Sequence, residues 1–210
     1  MTTRVLAVGA HPDDIEFGAG ATLLKHQASG HEIHVLVLTS GETGCGDYAT
    51  NVREHEALAA AELLGAAITF GRLPDAHLPD GKPTIDVIER VTAAFSPDIA
   101  YIHSVHDTHQ DHRAAARASQ ASLRTIQKLY AYQAPSATPE FAAQRYPDIT
   151  EFLSGKMDLI KAHQSQFETR RYMETEYVEA TARYHGLRAG CRHAEAMEVI
   201  ADRDSRPDVF

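Results

Sequence analysis

The run Ala10-His11-Pro12-Asp13-Asp14-Ile15-Glu16 puts an imidazole beside two adjacent carboxylates. Such side chains hold divalent metals, and a carboxylate left over from ligation can act as a base. A second cluster, His103-Ser104-Val105-His106-Asp107-Thr108-His109-Gln110-Asp111-His112, repeats the same residue types further along the chain. Histidine, aspartate and histidine drawn from the two runs could form a facial metal site, with the remaining positions open to water or substrate. The competing reading is structural. An Asp that follows a strand commonly caps the next helix, and Asp13 or Asp14 could do only that. With 13 histidines in the chain, some clustering also arises by chance.

Both clusters sit at the same kind of junction. Val5-Leu6-Ala7-Val8 reads as a buried parallel strand ahead of the first, and a helix is expected over 15–29 after it. Asp98-Ile99-Ala100-Tyr101-Ile102 reads as a strand ahead of the second, with a helix expected over 110–126. Further strands are expected near 32–39, 67–70, 128–133 and 194–200, and further helices near 51–64, 84–95, 150–166 and 170–188. Alternation of this kind predicts an α/β fold, a Rossmann-like doubly wound and mainly parallel sheet flanked by helices, in one domain spanning 1–210. In such a sheet ligands bind at the carboxyl ends of the strands, where both clusters fall. Gly30 is placed to stop the first helix, and Pro83 and Pro97 punctuate helical segments. Gln133 to Pro147 reads as a long loop.

Phe17-Gly18-Ala19-Gly20 superficially suggests a dinucleotide-binding loop, but Leu23 stands where the third glycine of that motif belongs. Asp13 and Asp14 would also repel a pyrophosphate. Gly18 and Gly20 are better read as permitting close approach of the helix to its neighbours. Composition suits an enzyme with a sizeable core: 43% hydrophobic and 23% charged residues. The net charge of -9, without a basic patch, argues against nucleic acid or an anionic membrane as partner. No signal-peptide-like or membrane-spanning apolar run is present, and Cys45 and Cys191 are isolated. A cytoplasmic protein with reduced thiols is the expectation.

His11-Pro12-Asp13-Asp14 together with His109-Gln110-Asp111-His112 resembles the zinc-dependent N-acetylglucosaminyl deacetylase family, the PIG-L and LmbE-like proteins. Gly41-Glu42, Arg53-Glu54-His55-Glu56, Ala59-Ala60-Ala61, Leu64-Gly65 and His163-Gln164-Ser165-Gln166 are similar to its later blocks, as are Gly186, Gly190 and Ala194-Glu195-Ala196. The pattern is nearest to the small bacterial members of bacillithiol-pathway type. The resemblance implies that His11, Asp14 and His112 are the metal ligands, for Zn²⁺ or for Fe²⁺ in the cell. It implies that Asp13 is the general base, that His109 stabilises the oxyanion or protonates the leaving amine, and that Arg53 contacts substrate. Asp111 is expected to hydrogen-bond a histidine and fix its tautomer, while His103 and His106 are given structural or loop roles.

The family's final block carries a Tyr where this chain has His193, so His193 is expected to line the site and contact substrate. The implied reaction is hydrolysis of an N-acetyl group from an N-acetylglucosamine-type sugar by metal-activated water. The alternatives are an amidase acting on an acylated glycoside of secondary metabolism and a non-catalytic, metal-containing sugar-binding protein. Small relatives form trimers or hexamers, so a homo-oligomer is expected.

Overall fold

Arg4–Gly9 forms β1, buried along almost its whole length, and it lies at the centre of a six-stranded sheet. The computed structural model describes residues 2–203 apart from Asp47 and Thr50. Its other strands are β2 (Glu32–Thr39), β3 (Ala67–Leu73), β4 (Ile99–His103), β5 (Lys128–Tyr132) and β6 (Met197–Asp202). The order is β3-β2-β1-β4-β5-β6; β1 to β5 run parallel and β6 is antiparallel to β5. The strand order therefore reverses between β1 and β4. That reversal opens a crevice at the carboxyl ends of those two strands.

Side chains alternate across the sheet as the period of an extended chain requires. Leu6 and Val8 pack on one face with Leu36, Ile102 and the helices α3 (Lys82–Phe95) and α4 (Gln110–Ser122). Val5 and Ala7 pack on the other with Val35, Tyr130, Tyr132 and the helices α1 (Asp14–Ala28) and α5 (Leu153–Lys161). Helix α2 (Val52–Leu64) joins the second face through Leu64, and α7 (Thr175–Ala189) lies beyond α5. Sheet and helices thus form a mostly parallel α/β layer structure of the expected class.

One helical segment differs from expectation. The stretch 150–166 is not one helix: a short turn at Thr150–Phe152 precedes α5, and α6 (Gln164–Phe167) begins after a break. The break falls at His163, where ψ is 59°. It turns the His163 ring inward, to 3.4 Å from the Glu16 carboxylate, instead of along a helix surface. Helical period alone carries no sign of a buried partner supplied by α1. Helix α7 begins at Thr175 rather than 170, and α4 ends at Ser122 rather than 126. Among the described residues no helix is long and apolar enough to cross a membrane.

Glu195 shows why the segment after α7 returns to α1. Its carboxylate accepts from the backbone N–H groups of Ala21 and Thr22, at 3.0 and 2.9 Å, and from the Thr22 hydroxyl. The Lys156 ammonium lies 2.5 Å from Glu195 and also donates to the Phe17 carbonyl. A buried charge pair is tolerated when its remaining donors and acceptors are filled, as these are. Nearby, Tyr132 donates to the Val8 carbonyl at 2.9 Å and lays its ring against Gly18. A Cβ at Gly18 would overlap that ring, whereas one at Gly20 would come no closer than 3.3 Å to anything, a Leu159 methyl at the end of a flexible side chain. Gly18→Ala is therefore expected to destabilise by about 1–3 kcal/mol through overpacking. That corresponds to a melting temperature lower by several degrees. Gly20→Ala should be tolerated, and thermal denaturation of the two variants checks the contrast.

Candidate metal centre and cleft

The turn after β1 and the turn after β4 bring the two clusters together at the crevice. His11 lies 3.3 Å from Asp14 Oδ2 through Nδ1, and His112 lies 3.3 Å from Asp14 Oδ1 through Nε2. One ligand atom each from His11, Asp14 and His112 falls within 4.8 Å of the others, and all three side chains are buried. Two further groupings of this kind exist among the described residues, His11 with His109 and Asp111, and His103 with Asp107 and His112. Of the three, only His11, Asp14 and His112 all line the open cleft, of about 420 Å³, that a substrate needs to reach them.

The far nitrogens of the two rings support this choice. His112 Nδ1 lies 2.9 Å from Asp107 Oδ2. His11 Nε2 lies 3.1 Å from Asp75 Oδ1 and 3.2 Å from Asp111 Oδ2. A carboxylate on one ring nitrogen fixes the tautomer and leaves the other nitrogen to bind a metal. His11 Nδ1 and His112 Nε2 are those remaining nitrogens, and both face Asp14. Two imidazoles and a carboxylate, each ring backed by a carboxylate, are the donor set of a divalent ion with open positions. Burial raises the Asp14 carboxyl, but His112, His103 and His11 around it hold it well below its ordinary value. Burial lowers His112, yet Asp14 and Asp107 push it up to about 9. The site so concentrates negative charge that His11 and His112 attract a proton where no cation neutralises it.

Asp13 has different surroundings. Its backbone takes φ 106° and its side chain makes no capping hydrogen bond to α1. Instead its Oδ2 accepts from Arg53 Nη2 at 3.1 Å. Arg53 also donates to the Pro12 carbonyl at 2.6 Å and the Gly41 carbonyl at 3.3 Å. Arg53 lines the cleft, but these donors are directed at the protein, so it holds Asp13. Burial raises the Asp13 carboxyl, and the Arg53 guanidinium limits the rise.

His109 is the N-cap of α4, and its Nδ1 accepts the Asp111 N–H at 3.2 Å. Its ring stacks on His112 with centroids 4.5 Å apart. Burial and the neighbouring His112 lower its pKa, so the neutral ring carries its proton on Nε2 as a donor lining the cleft. Asp111 is fully buried and bonded to His11, in the place expected of a residue that orients a histidine.

His193 is not brought into the cleft. It is buried between α7 and the turn at Thr150, where its N–H donates to the Thr150 hydroxyl and its ring lies 4.0 Å from Glu179 Oε1. The backbone of the preceding Cys191 and Arg192 closes against Gly186 of α7. The phenol in the cleft belongs to Tyr172, whose hydroxyl is pushed up by burial and by the carboxylates of Asp13 and Asp14. No motif marks Tyr172.

Other site residues were equally hidden. His103 ends β4, is fully buried, stacks on His112 at 4.1 Å and lies 3.0 Å from Asp14 Oδ2. It belongs to the site rather than to a loop. His106 does have a structural partner, Glu198 of β6 at 2.8 Å. Asp75 comes from the turn after β3 and is held below its ordinary pKa, against burial, by His11 and Thr43. A carboxylate five positions before His112 was the one available hint of Asp107.

Residues 6–123 match the GlcNAc-PI de-N-acetylase family, PIG-L. The chain belongs to this family. Over 169 residues it is 32% identical to the uncharacterized deacetylase YaiS of Escherichia coli, covering 77% of this chain and 90% of that one. It is 27% identical over 224 residues to the diacetylchitobiose deacetylase of Thermococcus kodakarensis, covering 94% and 83%. Its fold superposes on the conserved protein TT1542 of Thermus thermophilus with a TM-score of 0.84 at 26% identity, over 98% of this chain and 96% of that one. The family match spans both clusters.

The carboxylate behind His112 gives a direct check. Asp107→Asn should weaken Zn²⁺ binding by about 10–100-fold without unfolding the protein. Competition with a chromophoric chelator measures the affinity, and circular dichroism the fold.

Proposed function

We propose that this protein is a metal-dependent hydrolase that removes the N-acetyl group from an N-acetylglucosamine-type sugar. The observation that carries the proposal is Asp13, a buried carboxylate beside the His11, Asp14 and His112 cluster and tied to Arg53 rather than to the cluster. A site that only held a metal and a sugar has no use for a strained, desolvated base. Family membership and the deacetylase activity named for two relatives support the same reaction.

His11, Asp14 and His112 would hold the divalent ion. The bound ion supplies Lewis acidity, polarising the amide carbonyl and lowering the pKa of a water to roughly 7. Asp13 accepts the proton of the attacking water. His109 donates from Nε2 to the carbonyl oxygen as negative charge develops there. The proton taken up by Asp13 is then available to the departing amine, so that amide and water become acetate and amine. Arg53 lowers the Asp13 carboxyl against the effect of burial, favouring its ionised form, and fixes its direction. Cys45 and Cys191 form no disulfide, and neither lines the cleft.

Asp13→Asn keeps shape and removes the base. It is expected to lower kcat for acetate release by about 10²-fold or more, with little change in bound metal. Reactions quenched during turnover should contain no acetylated protein by mass spectrometry, since water attacks the amide directly and no acyl-enzyme forms. Unchanged turnover in Asp13→Asn would remove the role assigned to that carboxylate.

Arg53 should show itself in the pH profile. Its charge lowers the Asp13 carboxyl, and the base works only when ionised. Arg53→Gln removes that charge, so the Asp13 carboxyl rises further. The acid limb of kcat/KM against pH should therefore move to higher pH, with the largest loss on the acid side. Rates measured across the pH range in wild type and variant decide this.

A further inference from the structure

A second chamber, of about 220 Å³, adjoins the metal cleft and shares Phe17, Pro135 and Tyr172 with it. The Phe17 and Tyr172 rings meet edge to face at 5.7 Å between centroids where the two cavities adjoin. Tyr177, Val178 and Ala182 of α7 add to its apolar lining, with Ala134, Ala194 and Ala196. Its charged groups are engaged with one another, and His185 Nδ1 is a buried acceptor left without a hydrogen-bond partner. Lys156 is paired with Glu195, which also binds the backbone of α1. His185 Nε2 and Gln133 Oε1 are joined at 2.7 Å. Burial and the charge of Lys156 lower the His185 pKa, so that imidazole is neutral. An anion entering the chamber would find no uncommitted cation among these side chains, and it would approach Glu195. An apolar ring meets aromatic faces and methyl groups and displaces only water.

Size points the same way. At about 30 Å³ per water in the liquid, the chamber holds roughly seven waters, the room of one six-membered ring with a linking atom. Position supplies the last constraint. In a 2-acetamido sugar the glycosidic carbon is bonded directly to the carbon that bears the amide. A group on that carbon lies next to the site where the amide is cut, as this chamber lies next to the cleft through the shared Phe17, Pro135 and Tyr172.

We infer that the chamber is an aglycone subsite for a single apolar or aromatic group of an N-acetylglucosaminide. This rests on the deacetylase reading and adds a preference that reading does not contain. Thr181 lies on the exposed side of α7 and lines the chamber, so a larger residue there fills the space without disturbing the core.

The test uses the Zn²⁺-loaded protein and the methyl, phenyl and carboxymethyl glycosides of N-acetylglucosamine, in both anomers. Acetate release should be about ten- to a hundredfold faster in kcat/KM for the phenyl than for the methyl glycoside of the favoured anomer, the worth of burying one aromatic ring. The carboxymethyl glycoside should gain nothing. Thr181→Trp should bring the phenyl-to-methyl ratio close to one. Equal rates for phenyl and methyl, or a preference for carboxymethyl, overturn the subsite while leaving the deacetylase reading intact. If no glycoside releases acetate, that reading fails. Calorimetric binding of the phenyl and methyl glycosides to wild type and Thr181→Trp then decides the subsite alone. A phenyl preference lost in the variant supports it, and equal affinities overturn it.

Discussion

At Asp13 the backbone takes φ 106°, in the left-handed region that a residue with a Cβ seldom occupies. Holding it there costs about 1–3 kcal/mol, so its surroundings must enforce it. The consequence is a division between neighbours. Asp14 turns towards three histidines, while Asp13 turns towards one guanidinium. Here one is drawn towards ionisation by a ring of imidazoles, and the other is raised by burial and checked by Arg53. Two identical side chains become a ligand and a base because of their settings, not their chemistry.

The enforcement comes from three separate parts of the chain. Arg53 reaches from α2 to bind the Pro12 carbonyl as well as Asp13, so it grips the strained turn at two points. That reach requires Gly41, because a Cβ there would stand 2.5 Å from the guanidinium. Glu42 beside it accepts the Asp75 N–H at 2.9 Å, and Asp75 in turn holds His11. The loop after β2 therefore supports both ends of the His11 to Asp14 turn, one through an arginine and one through a carboxylate. His163 stands behind, where the break between α5 and α6 delivers it to Glu16 in the first turn of α1.

Much of this was legible in the sequence, and the parts that were not share a cause. Val5 to Val8 and the apolar run of β2 announce buried parallel strands because burial on both faces leaves a local signature. His11, Asp14 and His112 stand out because ligand types recur at two strand ends. His103 and Asp107 were visible as letters, but their roles depend on which way a strand end and a helix start face. Asp75 and Tyr172 carry no local signature, since each reaches the cleft from a separate turn. His193 misled for the opposite reason. Alignment to a family position fixes where a residue stands along the chain, whereas the direction of its side chain follows from packing against α7.

The two cavities that meet at Phe17 and Tyr172 differ in one physical respect. Around the metal cleft, carboxylates outnumber the cations that could neutralise them: Asp13, Asp14 and Asp75 line it, and Asp107 and Asp111 stand behind. Arg53 answers one of these charges. The excess is an incomplete electrostatic structure, and a divalent cation completes it. In the neighbouring chamber the charges close on themselves, Lys156 against Glu195, and its neutral polar pair, His185 and Gln133, is joined as well. An environment of unsatisfied negative charge selects a cation and the polar bond it activates. An environment whose charges are already paired selects mainly by shape and apolar contact. The same α1 helix, with Asp14 at its start and Phe17 one turn later, contributes to both, which couples the place of bond cleavage to the place of substrate selection.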